Sequence, residues 1–185
     1  NGVRSDTTTS FFDDKGYNIN NTLTIGRKLN SQGRTLSLSL SNTYRDNEGN
    51  GINHSNALYS GDETILDQKI DTKSKTNNIA ATISYVEPLG EDRSFMISYS
   101  INRNSSKRIK NTWKPDGSRN YTIIDSAYTR TTKSNYINQN ISLAYQESRD
   151  KFNYTIGFGL DPSYYDNKVN LLDSVMEKIK QNVLN

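Results

Sequence analysis

The stretch LTIGRKLNSQGRTLSLSLS, residues 23–41, holds a polar turn between two runs in which every second residue is apolar. Before the turn, Leu23 and Ile25 alternate with small or charged residues. After it, serines separate three leucines: Leu36, Leu38 and Leu40. A period of two is typical of β-strands whose two faces differ. The stretch therefore predicts an antiparallel hairpin.

The same pattern recurs twice, around polar turns at residues 90–92 and 147–150. The sequence thus predicts an all-β fold, an antiparallel up-and-down meander of about six strands in three hairpins. The strands are expected near residues 17–29, 35–44, 79–89, 93–103, 136–146 and 151–161. Residues 45–77 and 104–134 are polar and lack apolar periodicity, so they are predicted to be long loops at the end opposite the short turns.

The composition narrows the class of protein. Hydrophobic residues make up 32% of the chain, below the roughly 45–50% typical of globular domains. The chain has no cysteine, which removes disulfides and thiolate chemistry, and its net charge is only +3. Because Lys and Arg are scattered among acidic residues, nucleic acid is not expected as a partner. No run approaches the roughly 20 apolar residues of a membrane-spanning helix.

The polar face of the predicted strands carries mainly small, uncharged residues such as Ser39, Thr82, Ser98 and Gly157. A water-facing sheet would more usually carry Lys and Glu, whereas small polar residues suit the lumen of a barrel. On the other face Leu and Ile fill the strand interiors and aromatic residues gather near the ends, as in a transmembrane β-barrel. About six strands cannot close such a barrel, so further strands are expected from flanking sequence or another chain.

The segments 83–90 (ISYVEPLG) and 95–100 (FMISYS), with the recurring hairpin plan, resemble the β-barrel domain of Bacteroidetes-type TonB-dependent receptor-like outer-membrane proteins. The resemblance covers roughly residues 15–165. It implies residence in the outer membrane of a Gram-negative bacterium, contact with outer-membrane lipid, and uptake of a nutrient or capture of a glycan. Neither a plug-like segment nor a TonB-interaction motif is found in the chain, so a TonB-type energy-coupling partner would act through other regions.

A second class of protein stays open from the sequence alone. A soluble β-sandwich or open-sheet module that binds carbohydrate or protein also alternates apolar and polar residues. An enzyme is not expected, since no catalytic motif is present, and no cofactor or metal is predicted. The lone His54 has no second His or Cys to form a metal site. The run Asp46–Gly51 has oxygen ligands for a hard cation but lacks the spacing of a calcium loop, so a solvated turn is preferred.

The candidate ligand-facing residues lie in the predicted long loops: Tyr59, Lys107, Arg108, Lys110, Trp113 and Tyr121. The basic run with its tryptophan would form a patch for an anionic or sugar ligand. It would equally suit a strand extension that meets lipopolysaccharide phosphates, or a solvated hairpin arm. Residues 165–185 are predicted to be a loop or short helix, since Leu172, Val175 and Ile179 fall on one helical face.

Overall fold

The computed structural model describes residues 4–59, 62–149, 152–172 and 177–184. These residues form an all-β protein, a single antiparallel meander, and no helix occurs among them. Accordingly, the described residues include no helix long and apolar enough to cross a membrane. The predicted fold class, an antiparallel up-and-down meander, is confirmed.

The described part of the chain contains nine strands, joined in one sheet with the order β1-β2-β3-β4-β6-β8-β9. The short β5 pairs with β4, and β7 pairs with β6. The strands are β1 (Arg4–Lys28), β2 (Thr35–Tyr59), β3 (Asp62–Pro88), β4 (Arg93–Pro115), β5 (Tyr121–Ile124), β6 (Arg130–Arg149), β7 (Phe152–Leu160), β8 (Pro162–Leu171) and β9 (Glu177–Leu184).

Strands β7 and β8 follow one another along the same edge of β6. Leu160 of β7 pairs with Ile141, and Ser163 of β8 pairs with Asn138, so the register of the two strands is continuous. Pro162 begins β8, and it has no N–H to donate to the ladder. The sheet is therefore seven strands wide along its main order.

Local chemistry accounts for the first two short turns. Gly33 (φ 98°) and Gly90 (φ 139°) have positive φ angles, which glycine adopts without the penalty of a Cβ. In the first turn the amide of Arg34 donates to Asn30 Oδ1 at 2.9 Å. The prediction of a third turn at residues 147–150 is wrong for residues 147–149, which belong to β6, and residue 150 lies outside the described part of the chain.

The prediction of long loops at residues 45–77 and 104–134 is wrong for most of these residues. β2 continues to Tyr59, β3 begins at Asp62, β4 continues to Pro115 and β6 begins at Arg130. Polar residues predominate on both faces of these extensions and their few apolar residues do not alternate regularly, so the sequence does not indicate strands there. Backbone pairing with long neighbours on both sides stabilises them instead.

The prediction of a loop or short helix at residues 165–185 is also wrong where the structure describes them. Residues 165–171 belong to β8 and Glu177–Leu184 form β9, which pairs with β8. The edge of β8 offers a ladder of backbone donors and acceptors, and this tertiary context overrides a short helical periodicity. Residues 173–176 and 185 lie outside the described part of the chain.

The sheet has almost no hydrophobic core. Ile70 is the one buried hydrophobic side chain among the described residues. The accessible surface is 13251 Å², against about 9,000 Å² for a compact folded monomer of this mass. The sheet therefore leaves apolar surface that no second layer of described residues covers.

Candidate functional site

The register places like residues side by side, so the sheet has an apolar face and a polar face. Leu38 of β2 pairs with Ile25 of β1 and Ile83 of β3. On the opposite face a row of small residues crosses five strands: Ser37, Ser84, Ser98, Ser142 and Gly159. The Oγ atoms of Ser98 and Ser142 lie 2.6 Å apart. The predicted separation of the two faces is therefore present near the short turns.

Exposure on these two faces is the reverse of that in a soluble sheet. Leu38 is 37% exposed, Ile83 45% and Ile156 67%, whereas the serines that alternate with the leucines of β2 are half-buried. The polar face is the more enclosed of the two.

Aromatic residues border the apolar part of the apolar face, here called the apolar band. At the short-turn side the rings of Tyr145 and Tyr154 are 6.2 Å apart. At the far side the rings of Tyr17 and Tyr44 are 6.1 Å apart. Beyond Tyr44, in what we call the distal half, the same face becomes charged, beginning with Asp46 and Lys75.

Lysines then occupy one continuous register line on this face. Lys75 of β3 pairs with Lys107 of β4, which pairs with Lys133 of β6, which pairs with Lys168 of β8. We call these four residues the lysine row. Asp46 Oδ2 lies 3.0 Å from Lys75 Nζ. The row lies just beyond the apolar band, and like charges directly opposite one another disfavour a sheet.

The predicted ligand-facing residues do not form one patch. Because they lie in a strand, Lys107 and Trp113 belong to one face and Arg108 and Lys110 to the other. Trp113 Nε1 donates to Asp71 Oδ2 at 2.9 Å. The cations of the basic run are therefore divided between the two faces of the sheet, with Lys107 on one face and Arg108 and Lys110 on the other.

The two tyrosines of the predicted set lie elsewhere. Tyr121 is in β5, and its hydroxyl donates to Asp67 Oδ1 at 2.7 Å. That hydrogen bond, together with burial, raises the pKa of Tyr121. Tyr59 is the last residue of β2, where it pairs with Asp62 of β3. Tyr121 pairs with Pro115, so it lies away from Lys107, Arg108 and Lys110 along β4.

A buried polar cluster, not predicted from the sequence, holds the end of β4. Asp125 is 3% exposed and accepts from Gln68 Nε2 at 3.1 Å, while Lys114 Nζ lies 3.0 Å away. The amide of Thr112 donates to Thr129 Oγ1 at 3.0 Å. These contacts order the turn between β5 and β6. The polar side chains of the cluster already have one another as hydrogen-bond or ion-pair partners.

The polar face of the distal half contains a hollow of about 580 Å³. Arg108 and Lys110 of β4 and Arg130 of β6 contribute the cations that line it. Other lining residues are Phe12, Ile70, Thr72, Ser74, Thr76, Ser106 and Thr132. Burial lowers the pKa of Lys110, and the nearby charges of Arg130 and Arg108 lower it further. Arg130 was missed because its pairing with Lys110 depends on a register that no tight turn sets.

The hollow depends on a glycine in β2. Gly51 lies between Phe12 and Ile70 in the register. A Cβ at this position would collide with the Phe12 ring and the Phe11 carbonyl. Glycine therefore allows the Phe12 side chain to lie over β2 beside the hollow.

The other two candidates from the sequence, His54 and residues 46–51, lie within strand β2. His54 Nδ1 lies 3.9 Å from Asp67 Oδ1. Residues 46–51 are inside β2, so they form neither the cation loop nor the solvated turn considered above. Within this segment, Glu48 Oε1 pairs with Lys73 Nζ at 2.9 Å. Within the described ranges, no group of three His, Cys, Asp or Glu residues is placed to hold a metal ion.

The chain matches no protein-family model, and no curated protein is detectably similar to it.

Proposed function

We propose that the chain is a segment of an outer-membrane β-barrel of the TonB-dependent receptor-like kind, which captures or imports a nutrient at the cell surface. The apolar band would contact lipid, and the polar face would line the lumen. The observation that carries the proposal is the reversed exposure: leucines and isoleucines are open while serines are half-buried. Only an apolar surrounding makes that arrangement favourable.

The height of the apolar band supports the proposal. On β4 nine residues, 94–102, separate Arg93 from Arg103, and on β3 eleven residues, 76–86, separate Lys75 from Glu87. A tilted strand crosses an outer membrane with about 9–11 residues. The charged residues thus bracket a band of the height that a bilayer requires.

The stagger of the hairpins is a further argument. The first hairpin ends with the pair Lys28 and Thr35, and Thr35 pairs with Val86, two residues short of the end of β3. Ser94 pairs with Gln146, three residues short of the end of β6. A displacement that accumulates in one direction is what tilted barrel strands produce.

The strands extend far beyond the band. β3 has 27 residues and is about 90 Å long at the usual rise of a strand, so most of it would project from the membrane. The lysine row lies just beyond the tyrosines of the band, at the level where phosphate groups of the outer leaflet would be found. The projecting strands would then present ligand-binding surface outside the cell.

The uptake function and its energy coupling follow from the family resemblance and belong to the proposal. A receptor of this kind needs more strands than the seven-strand width of this sheet, since about eight is the smallest barrel. Flanking sequence or another chain would supply them. A TonB-type partner would act through regions other than those described.

A soluble β-sandwich or open-sheet module, the other class considered, needs a second layer over the apolar face. Among the described residues no such layer exists, because all nine strands belong to one sheet. No observation of the described residues favours binding of carbohydrate or protein by such a module.

Dilution of the urea-unfolded chain into lipid vesicles or into buffer tests the proposal. We expect it to enter the vesicles as associated copies that pair one another's open sheet edges, and to become protease-resistant in the band. In buffer it should self-associate, because the exposed apolar residues need a cover. A chain that is folded and monomeric in buffer without detergent would overturn the proposal.

A further inference from the structure

We infer that the hollow on the polar face binds a small, multiply charged anion with phosphoryl or carboxylate groups. The inference rests on the proposed function, to which it adds a ligand class. The site consists of Arg108, Lys110 and Arg130 with the hydroxyls of neighbouring strands.

The three cations are close together. Lys110 pairs directly with Arg130, and Arg108 is two residues from Lys110 on the same face. Directly paired residues have Cβ atoms about 5 Å apart and diagonal neighbours about 7–8 Å apart. Three positive charges at these distances can all contact one small anion.

Acidic residues do not neutralise these cations within the described part of the chain. No ion pair there involves Arg108, Lys110 or Arg130. The carboxylate of Asp125, beside Thr112, is already paired with Lys114 and Gln68. In the register line through Lys110 the nearest carboxylate is Asp14, on β1. The Asp14 side chain leans over Gly49 of β2, two strand spacings or about 10 Å from β4, which still exceeds the screening length of about 8 Å in physiological salt. Burial is the main cause of the lowered pKa of Lys110, and the positive charges of Arg130 and Arg108 lower it further.

The hydroxyl groups add neutral donors. Ser74 and Thr76 of β3, Ser106 of β4 and Thr132 of β6 line the hollow. None of these four hydroxyls makes a side-chain hydrogen bond to another described residue. They are therefore free to donate to the oxygens of a ligand, in addition to the charge-assisted hydrogen bonds of the two arginines.

The dimensions of the hollow suit a small molecule. Its volume of about 580 Å³ falls in the range of roughly 300–1,000 Å³ found for small-molecule sites. Phe12 and Ile70 provide an apolar wall, and Ile70 is only 9% exposed. An anion with an attached carbon skeleton would use the cations and this wall together.

The hollow and the lysine row lie on opposite faces of the sheet, although both use residues of β4 and β6. Lys107 and Lys133 pair on the apolar face, one residue from Arg108 and three residues from Arg130. Removing two cations on either face changes the net charge equally. Only the polar-face pair should affect a ligand bound in the hollow.

Titration calorimetry of the full 185-residue chain in detergent, with inorganic pyrophosphate as the probe, tests the inference. We expect saturable binding that weakens with salt, and at least about tenfold weaker binding for Lys110→Gln/Arg130→Gln, since hydrogen bonds to charged groups are lost. The control variant Lys107→Gln/Lys133→Gln should bind within about twofold of the unchanged chain.

Absence of pyrophosphate binding, or equal weakening by the two double variants, would overturn the inference. Circular dichroism of both variants shows whether each keeps its strands. Should Lys110→Gln/Arg130→Gln lose them, Arg108→Gln alone is compared with Lys107→Gln, and equal affinities would overturn the inference. Vesicle insertion is measured separately, so a chain that inserts without binding pyrophosphate contradicts only this inference.

Discussion

The two halves of each long strand have the same backbone pairing and different side-chain partners. On the apolar face of β2, Leu36, Leu38 and Leu40 have large exposed surfaces, whereas Asp46 and Glu48 form ion pairs with lysines of β3. The hydrogen-bonded ladder runs through both halves without a register shift. Side-chain chemistry, and not the ladder, therefore indicates which surroundings each half of the sheet requires.

The largest expected effect concerns the same substitution in the two halves. Leu38→Arg places a charge in the apolar band, and it should destabilise the chain folded in vesicles by about 2–4 kcal/mol. Ile52→Arg changes a residue on the same strand and face with similar exposure, 43% against 37%, and should change stability by less than about 0.5 kcal/mol. Urea unfolding from vesicles measures both values. Equal effects at Leu38 and Ile52 would abolish the distinction between the halves.

Prediction from the sequence succeeded in the half where the two faces differ in hydropathy. The period of two predicts that Ile25 and Leu38 lie on an apolar face, and the register, which pairs these two residues, bears this out. The distal half was mistaken for loops because alternation among Asn, Thr, Lys and Asp leaves no hydropathy signal.

The hollow and the lysine row depend on how strands align. Lys107 aligns with Lys133, and Lys110 with Arg130, only through the pairing of β4 with β6. The intervening β5 means that no tight turn fixes that register. The buried cluster around Asp125 depends on contacts between residues far apart in sequence, such as Gln68, and no local pattern marks them.

The second prediction concerns the buried polar cluster around Asp125, which orders the end of β4 in the distal half. Asp125→Ala removes the acceptor of Gln68 and leaves a buried donor unsatisfied, which costs about 1–3 kcal/mol. The amides of Thr112 and Thr129 should then exchange hydrogen at least about fivefold faster. Glu48→Ala, at a solvent-exposed ion pair, is the control and should leave these two amides unchanged. Unchanged exchange in Asp125→Ala would show that the cluster does not order the turn.

The third prediction tests the position of the lysine row at the membrane surface. Lys107→Gln/Lys133→Gln should weaken binding to vesicles of anionic phospholipid, since each lysine near such a surface contributes about 1 kcal/mol. Binding to neutral vesicles should not change. The matched control is Arg108→Gln/Arg130→Gln, on the polar face of the same strands. If both double variants weaken anionic binding equally, the lysine row has no special place at the surface.

The smallest effect is a pH dependence in the distal half. The hydrogen bond and charge of Lys73 hold the pKa of Glu48 below its ordinary value of 4.5. A lowered folded-state pKa means that the stabilisation is present above pH 4.5 and is lost as the pH falls through the lowered value. Lys73→Gln should raise the pKa of Glu48 toward the ordinary value, which a pH titration of its side chain by NMR measures. An unchanged pKa would mean that Lys73 is not its partner in solution.

The central claim is that the apolar band faces lipid while the distal half projects from it. Trp113, the single tryptophan of the chain, lies in the distal half, and Leu143 lies in the band beside Ile97 and Phe158. Fluorescence quenching by lipids brominated near the bilayer centre measures the depth of each position. We expect little quenching of Trp113 and strong quenching of the tryptophan introduced by Leu143→Trp in a Trp113→Phe background. Weak and equal quenching at both positions would contradict the claim.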